Sequence, residues 1–287
     1  MTKIRAFLEM IKFEHTVFAL PFAYLGMVLA ADGLPDLATV LWITVAMAAA
    51  RTIAMSLNRI LDRDYDARNP RTARRPLVSG RISLRTAWAG TLVALLVLVL
   101  AAWALGPLPL RLLPGALLFL GGYAYTKRFT WASHFILGMT DGLAPMGAWV
   151  AVRGSLFTRA DLPAWLLFLI VTCWIAGFDI IYACQDADFD RAAGLHAVPA
   201  RFGIAAALRL SAWLHLLMMG LLLVLGFVLD LRWPYFAALL ITAALLVHEH
   251  RLVRPDDLSR IDVAFFNINS YISLTLFLGV IGALVLA

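Results

Sequence analysis

Charge is what this sequence has least of. Of its 287 residues only 15% are Asp, Glu, Lys or Arg, while 62% are hydrophobic and the mean hydropathy is +0.85. An ordinary soluble domain is about 25% charged and roughly 45–50% apolar. Too little polar side chain is present to cover a soluble globule, so the composition excludes a soluble enzyme or nucleic-acid-binding module and makes lipid the main solvent. Cysteine is as scarce. Cys173 and Cys184 have neither metal-site spacing nor a disulfide framework, and both read as small buried residues. The length leaves no room for a sizeable soluble appendage, so 1–287 is expected to form a single transmembrane domain.

What is present is a series of long apolar runs. The start imitates a signal peptide, with Lys3 and Arg5 ahead of an apolar stretch, but Glu9, Lys12 and Glu14 interrupt it, and residues 13–31 read as a retained first span. At about 20 apolar residues per span, the spans expected are 13–31, 38–57, 86–105, 112–126, 134–152, 164–183, 208–229, 234–250 and 264–286. That makes nine, with the fourth short and the eighth marginal, so a count of eight stays open. The expected fold is an all-α bundle of nine transmembrane helices.

The connections between spans differ sharply in charge. The segment 58–85 alone carries eight arginines, and Lys127, Arg128, Arg191, Arg201 and Arg251 fall on the same side. The opposite connections hold only Arg111, Arg153, Arg159 and Arg232. The positive-inside rule places the N-terminus and the basic loops in the cytoplasm of a bacterial-type inner membrane, and an odd span count places the C-terminus outside. The concentrated positive charge also suits attraction of an anion.

Two acidic motifs stand at the ends of the second and sixth spans. The first is Asn58-Arg59-Ile60-Leu61-Asp62-Arg63-Asp64-Tyr65-Asp66, and the second is Tyr182-Ala183-Cys184-Gln185-Asp186-Ala187-Asp188-Phe189-Asp190. Each has a polar residue, an Asp four later, another Asp four after that, and a middle Asp between. On a helix such spacing puts Asn58, Asp62 and Asp66 in one row and Tyr182, Asp186 and Asp190 in another. Carboxylates this dense repel one another unless a cation compensates them. Mg²⁺ fits best, because it takes hard oxygen ligands and bridges carboxylates to phosphates. A lone cluster could be a solvated helix end. Two clusters with matching offsets make that reading hard to sustain.

Here the sequence resembles the UbiA superfamily of intramembrane prenyltransferases. The resemblance rests on Asn58-Arg59-x-x-Asp62-x-x-x-Asp66, Tyr182-Ala183-x-x-Asp186-x-x-x-Asp190, Arg75-Pro76-Leu77, Tyr125-x-Lys127-Arg128 and Arg201-Phe202-Gly203. It covers nearly the whole chain, although Arg59 stands where many members carry Asp. It implies two Mg²⁺ ions, held by Asn58, Asp62, Asp66, Asp186 and Asp190, that bind the diphosphate of an isoprenoid donor on the cytoplasmic side. Lys127 and Arg128 are candidate diphosphate clamps, with Arg75 and Arg74 weaker ones. A loop arginine that serves topology alone is an equal reading for each.

Polar residues inside the spans form a further set. A charge at the bilayer centre costs about 2.5–3.5 kcal/mol on insertion scales, so it faces a cavity or a partner. Arg51 and Asp179 each lie seven residues before a motif residue on the same helix, and Asp141 lies within the fifth span. Arg51 is expected to contact the diphosphate or an acceptor carboxylate, and Asp141 and Asp179 to orient or deprotonate an acceptor phenol. The alternative is that they pair across the bundle. Tyr123, Trp174, Phe178 and Tyr182 are candidate lining residues for a carbocation, against ordinary packing. In the resemblance, His15 and Glu14 border the acceptor pocket. His134 and His196 read as loop residues, His248 and His250 as interfacial, and Asn267 and Asn269 as helix-pairing groups.

The resulting expectation is Mg²⁺-dependent transfer of a polyprenyl group to a hydroxylated aromatic acid, 4-hydroxybenzoate or a dihydroxynaphthoate, for quinone synthesis. The expected partners are a polyprenyl diphosphate, that acceptor and the bilayer, with no nucleic acid and no protein partner implied. Acceptors of the haem or chlorin type remain open, and a cation-coupled secondary transporter is the reading from another class.

Overall fold

A computed structural model describes residues 3–12 and 16–286. Among the described residues the chain is helical throughout: α1 (Lys3–Met10), α2 (Thr16–Ala31), α3 (Leu37–Leu61), α4 (Arg63–Arg68), α5 (Leu84–Leu105), α6 (Pro107–Thr126), α7 (Ser133–Arg153), α8 (Leu162–Ala183), α9 (Ala187–Ala192), α10 (Val198–Phe202), α11 (Ile204–Val228), α12 (Trp233–Leu252) and α13 (Asn269–Val285). Local sequence starts several of them. Asp36 and Ser83 cap α3 and α5 by accepting the amides of Thr39 and Thr86. Proline, whose missing N–H costs nothing in a first turn, opens α6, α8 and α12.

Among the described residues a helix lies over every segment expected to span. Among the described residues six helical segments are long and apolar enough to cross a membrane: Leu37–Leu61, Leu84–Leu105, Ser133–Arg153, Arg159–Ala192, Ile204–Val228 and Val263–Val285. The fourth expected span differs most. Helix α6 starts at Pro107, not 112, and takes in Arg111 and Pro114, which lower its hydropathy but lengthen it to 20 residues.

Helix α8 is the axis of the bundle, with Ile170, Trp174, Ile180 and most of its other residues buried. Its neighbour α7 approaches closely because Gly138 has no side chain. A Cβ there would lie 2.4 Å from the carbonyl oxygen of Thr172. Small residues at such crossings let helix backbones meet where lipid offers no hydrophobic drive. Large apolar side chains such as Leu96, Trp103, Leu118 and Leu240 point outward, which suits a lipid surround. Helix α1 packs beside this bundle, tied down where Arg81 donates to both carboxylate oxygens of Glu9 at 2.8 and 2.7 Å. Both cysteines are free and buried, as expected.

Candidate active site

Both acidic motifs sit where a long helix ends, and each bends there. Helix α3 stops at Leu61, Asp62 takes φ −90° and ψ 4°, and α4 resumes at Arg63. The second motif does the same through a 3₁₀ turn, Cys184–Asp186, between α8 and α9. The straight helix expected across each motif is therefore replaced by a bent one. The bend keeps the row in the first motif: the Asp62 amide donates to the Asn58 carbonyl at 3.0 Å and the Asp66 amide to that of Asp62 at 2.8 Å.

The two ends face one open cavity of about 130 Å³, whose lining includes Asn58, Asp62, Asp66, Lys127, Asp186 and Asp190. Asp62 is 2% exposed. Its Oδ2 lies 2.6 Å from Lys127 Nζ, and Arg128 approaches its Oδ1 at 3.7 Å. Arg75 Nη1 donates to both oxygens of Asp66 at 2.6 and 2.7 Å. Across the cavity Arg71 pairs with Asp186 through two nitrogens and donates to the Tyr182 hydroxyl at 3.0 Å, while Asn69 donates to Asp186 Oδ1 at 2.9 Å. Burial is the largest influence on the charge of Arg71 and works against it, but the hydrogen bonds and charges of Asp186 and Tyr182 together outweigh it and raise its pKa. Four carboxylates thus share one pocket with Arg59, Arg71, Arg75 and Lys127 between two helix ends.

The donor set fits a hard divalent cation. It is all oxygen, and Asp62 Oδ1 is buried with no hydrogen-bond partner, a lone-pair site that the protein leaves open. Asn58 is held beside it. Its Oδ1 accepts from Arg59 Nη1 at 3.1 Å and its Nδ2 lies 3.4 Å from Asp62 Oδ2. The Arg at position 59 therefore orients its neighbour.

Other expected residues are placed differently. The middle acids turn away: Asp64 is exposed, and Asp188 is 98% exposed and bonded to Arg191 at 2.9 Å. Arg74 is exposed too, and it touches Arg81 only through its carbonyl. Arg128 stacks over Tyr125 at 4.1 Å and donates to the Leu61 carbonyl at 2.6 Å, so it braces the first motif from below. Arg51 sits in the interior of α3 in the field of Asp141 on α7, and its Nε is buried without a hydrogen-bond partner. Tyr123 donates to the Ala54 carbonyl at 3.1 Å.

Asp179 is engaged by His134, whose Nδ1 lies 2.7 Å from Asp179 Oδ2. His134 Nε2 accepts from the Val198 amide at 3.2 Å, so in the neutral ring Nδ1 carries the proton and donates to the aspartate. The loop reading of His134 is corrected, since it is buried at the start of α7. Trp174 is core packing and not lining. It is 2% exposed and its Nε1 donates to Asn269 Oδ1 at 2.7 Å. Phe178 and Tyr182 do form an aromatic wall with Phe265, at ring separations of 5.1 and 4.2 Å. Phe265 lies in a π-helical segment, Val263–Ile268, a distortion often found at functional sites. His15 and Glu14 lie outside the described residues.

Sequence reasoning missed Asn69 and Arg71, the two residues that hold Asp186. Their one signal was position, three and five residues past Asp66 in a segment that had to return across the cavity mouth.

Comparison with known proteins places these observations in a family. Residues 19–271 match the UbiA prenyltransferase family. A 4-hydroxybenzoate octaprenyltransferase of Photobacterium profundum is 31% identical over 98% of this chain and 96% of its own length. Another, of Aeromonas hydrophila, is 34% identical over 88% of this chain and 86% of its own. The apo structure of a UbiA homolog from Aeropyrum pernix K1 superposes with a TM-score of 0.85, at 33% identity, over 94% of this chain and 98% of that one. A UbiA homolog from Archaeoglobus fulgidus bound to DMAPP and Mg²⁺ shares the fold at a TM-score of 0.68 and 20% identity, over 94% of this chain and 98% of that one.

Proposed function

Because the chain belongs to the UbiA prenyltransferase family, we propose that it transfers a polyprenyl group from its diphosphate to the ring of a hydroxylated aromatic acid, 4-hydroxybenzoate or a dihydroxynaphthoate, in quinone synthesis. The observation that carries this reading is the single cavity where Asp62, Asp66, Asp186 and Asp190 meet Lys127, Arg71 and Arg75. No single-charge ligand needs both sets. A diphosphate bridged to metal needs both. The names of the relatives favour 4-hydroxybenzoate as acceptor.

In this reading Asn58, Asp62, Asp66, Asp186 and Asp190 hold two Mg²⁺ ions. When bound, Mg²⁺ neutralises the charge that grows on a departing diphosphate. Lys127, Arg71 and Arg75 bind its phosphate oxygens from the loops, as preorganised donors that lose little on reaction. Phe178, Tyr182 and Phe265 shield the electron-poor prenyl carbon from water and face it with aromatic rings. Arg51, deeper in α3, is placed to take the acceptor's carboxylate, with Asp141 or Asp179 as the base that orients or deprotonates its hydroxyl.

The chain crosses the membrane nine times in this proposal, since α6 and α12 have 20 residues each and reach about 30 Å. The clustered arginines of 58–85 put the site and the N-terminus on the cytoplasmic side and the C-terminus outside. An acceptor panel tests the reaction. Purified protein in detergent, given a prenyl diphosphate and Mg²⁺ with 4-hydroxybenzoate, dihydroxynaphthoates or no acceptor, is expected to yield one prenylated aromatic acid by mass spectrometry. A protein that consumes the diphosphate only with a haem or chlorin acceptor would overturn the quinone assignment.

A further inference from the structure

Away from the acidic cavity, His215 of α11 and Glu249 and His250 of α12 bring three ligand atoms within 4.8 Å of one another. The positions are 34 and 35 residues apart in sequence, so no spacing motif shows them. His250, expected at the membrane interface, instead points inward at His215, with its Nε2 2.9 Å from His215 Nδ1.

The hydrogen bonds around the cluster fix where its lone pairs point. His215 Nε2 lies 3.3 Å from the Trp174 carbonyl oxygen, which can only accept, so Nε2 carries the proton. Nδ1 then bears a lone pair directed at His250 and at Glu249 Oε2, 3.5 Å away. Helix α8 admits the ring because Gly177 is opposite it, where a Cβ would stand 2.4 Å from Nε2. Glu249 is fully buried. Its Oε1 accepts from Asn269 at 2.8 Å, yet Oε2 has no hydrogen-bond partner. A buried carboxylate oxygen without a partner is costly. The outer atoms of His215 and Glu249 are tied down, and the three inner atoms are potential donors of electrons.

We propose that His215 Nδ1, His250 Nε2 and Glu249 Oε2 bind a first-row divalent transition ion of the Zn²⁺ class. Two imidazoles and a carboxylate are a nitrogen-and-oxygen set that such ions take and that Mg²⁺ does not favour. Bonds of about 2.0–2.1 Å in tetrahedral geometry put ligand atoms roughly 3.3 Å apart, and two of the three separations here, 2.9 and 3.5 Å, bracket that value, with all three within 4.8 Å. The Trp174 carbonyl and Asn269 are the outer partners that hold a ligating ring and carboxylate in line. The ion joins α11 to α12, and Asn269 carries the link to Trp174 on α8, directly behind the aromatic wall of the cavity. Its role is to brace that wall.

The test is metal uptake by tag-free, chelator-stripped protein in excess Mg²⁺, read by elemental analysis after dialysis against Zn²⁺ and by visible absorption during Co²⁺ titration. Wild type is expected to take up one equivalent and to give the intense d–d bands of low-coordinate Co²⁺. Glu249→Gln and His250→Ala are expected to bind at least about tenfold more weakly. Asp62→Ala with Asp186→Ala is expected to retain the equivalent, which separates this site from the acidic cavity. A wild-type Co²⁺ spectrum that stays that of the aqua ion overturns the proposal, whatever the stability of the variants. So does equal uptake by wild type and folded Glu249→Gln, which would make the cluster a hydrogen-bonded one only.

Discussion

Lys127 Nζ and Asp62 Oδ2 lie 2.6 Å apart, so the last residue of the α6 turn neutralises the most buried carboxylate at the end of α3. The pair is unlike a surface ion pair, because the Asp62 side chain is only 3% exposed. It sets the ammonium at the mouth of the cavity, where a diphosphate oxygen would compete for it.

Lys127→Ala is therefore expected to lower kcat by about 10²–10³, the usual cost of removing one preorganised donor. Helix content by circular dichroism is expected to stay unchanged. A variant with full turnover would remove Lys127 from the donor site.

In the proposed reaction Arg71 would act in two ways. It competes for Asp186 and also offers the cavity a phosphate donor. In Arg71→Ala the Mg²⁺ concentration for half-maximal rate is expected to fall while kcat also falls. Arg71→Lys is expected to resemble the alanine variant, because one ammonium cannot hold both Asp186 oxygens and the Tyr182 hydroxyl. A magnesium requirement that rises in Arg71→Ala contradicts this assignment.

Asp179 and His134 separate support from chemistry. Asp179→Asn keeps an acceptor for the His134 Nδ1 proton, so it is expected to preserve the thermal midpoint in detergent. A steep loss of kcat in that folded variant would identify Asp179 as the base, and near-normal turnover would leave the role to Asp141. His134→Ala loses both the Asp179 contact and the acceptor for the Val198 amide. It is expected to lower stability by about 1–3 kcal/mol, measurable as a drop in midpoint that Asp179→Asn does not show.

Gly138→Val is expected to part α7 from α8, since even a Cβ meets the Thr172 carbonyl at 2.4 Å. Overpacking of this kind costs about 1–3 kcal/mol. The same wedge would displace Asp141 relative to Asp179, so activity is expected to fall faster with temperature than in wild type. A rate measured across temperature alongside the unfolding midpoint checks this.

The helices and the acidic side chains that meet in the cavity were legible because they depend on short-range pattern. Apolar runs locate helices one at a time, and Asp62, Asp66, Asp186 and Asp190 announce themselves by spacing within two short windows. Lys127 and Arg75 could be chosen because charge asymmetry put them on the motif side. What could not be read was how one loop arginine differs from the next. Arg71 crosses the cavity and Arg74 faces solvent, a difference made by the fold of 69–81. Direction along a nearly uniform apolar helix was equally hidden. Trp174 turned into the core and His250 turned inward because of partners on other helices.

Mg²⁺-dependent prenyl transfer at the acidic cavity is tested most directly by product formation by wild type and by Asp62→Ala and Asp186→Ala, each with a prenyl diphosphate and 4-hydroxybenzoate, with Mg²⁺ and with chelator. Prenylated product is expected from wild type with Mg²⁺ only, and turnover is expected to fall to near background in both variants although they remain folded. Product formed at the wild-type rate by either folded variant, or by wild type in chelator, would contradict it.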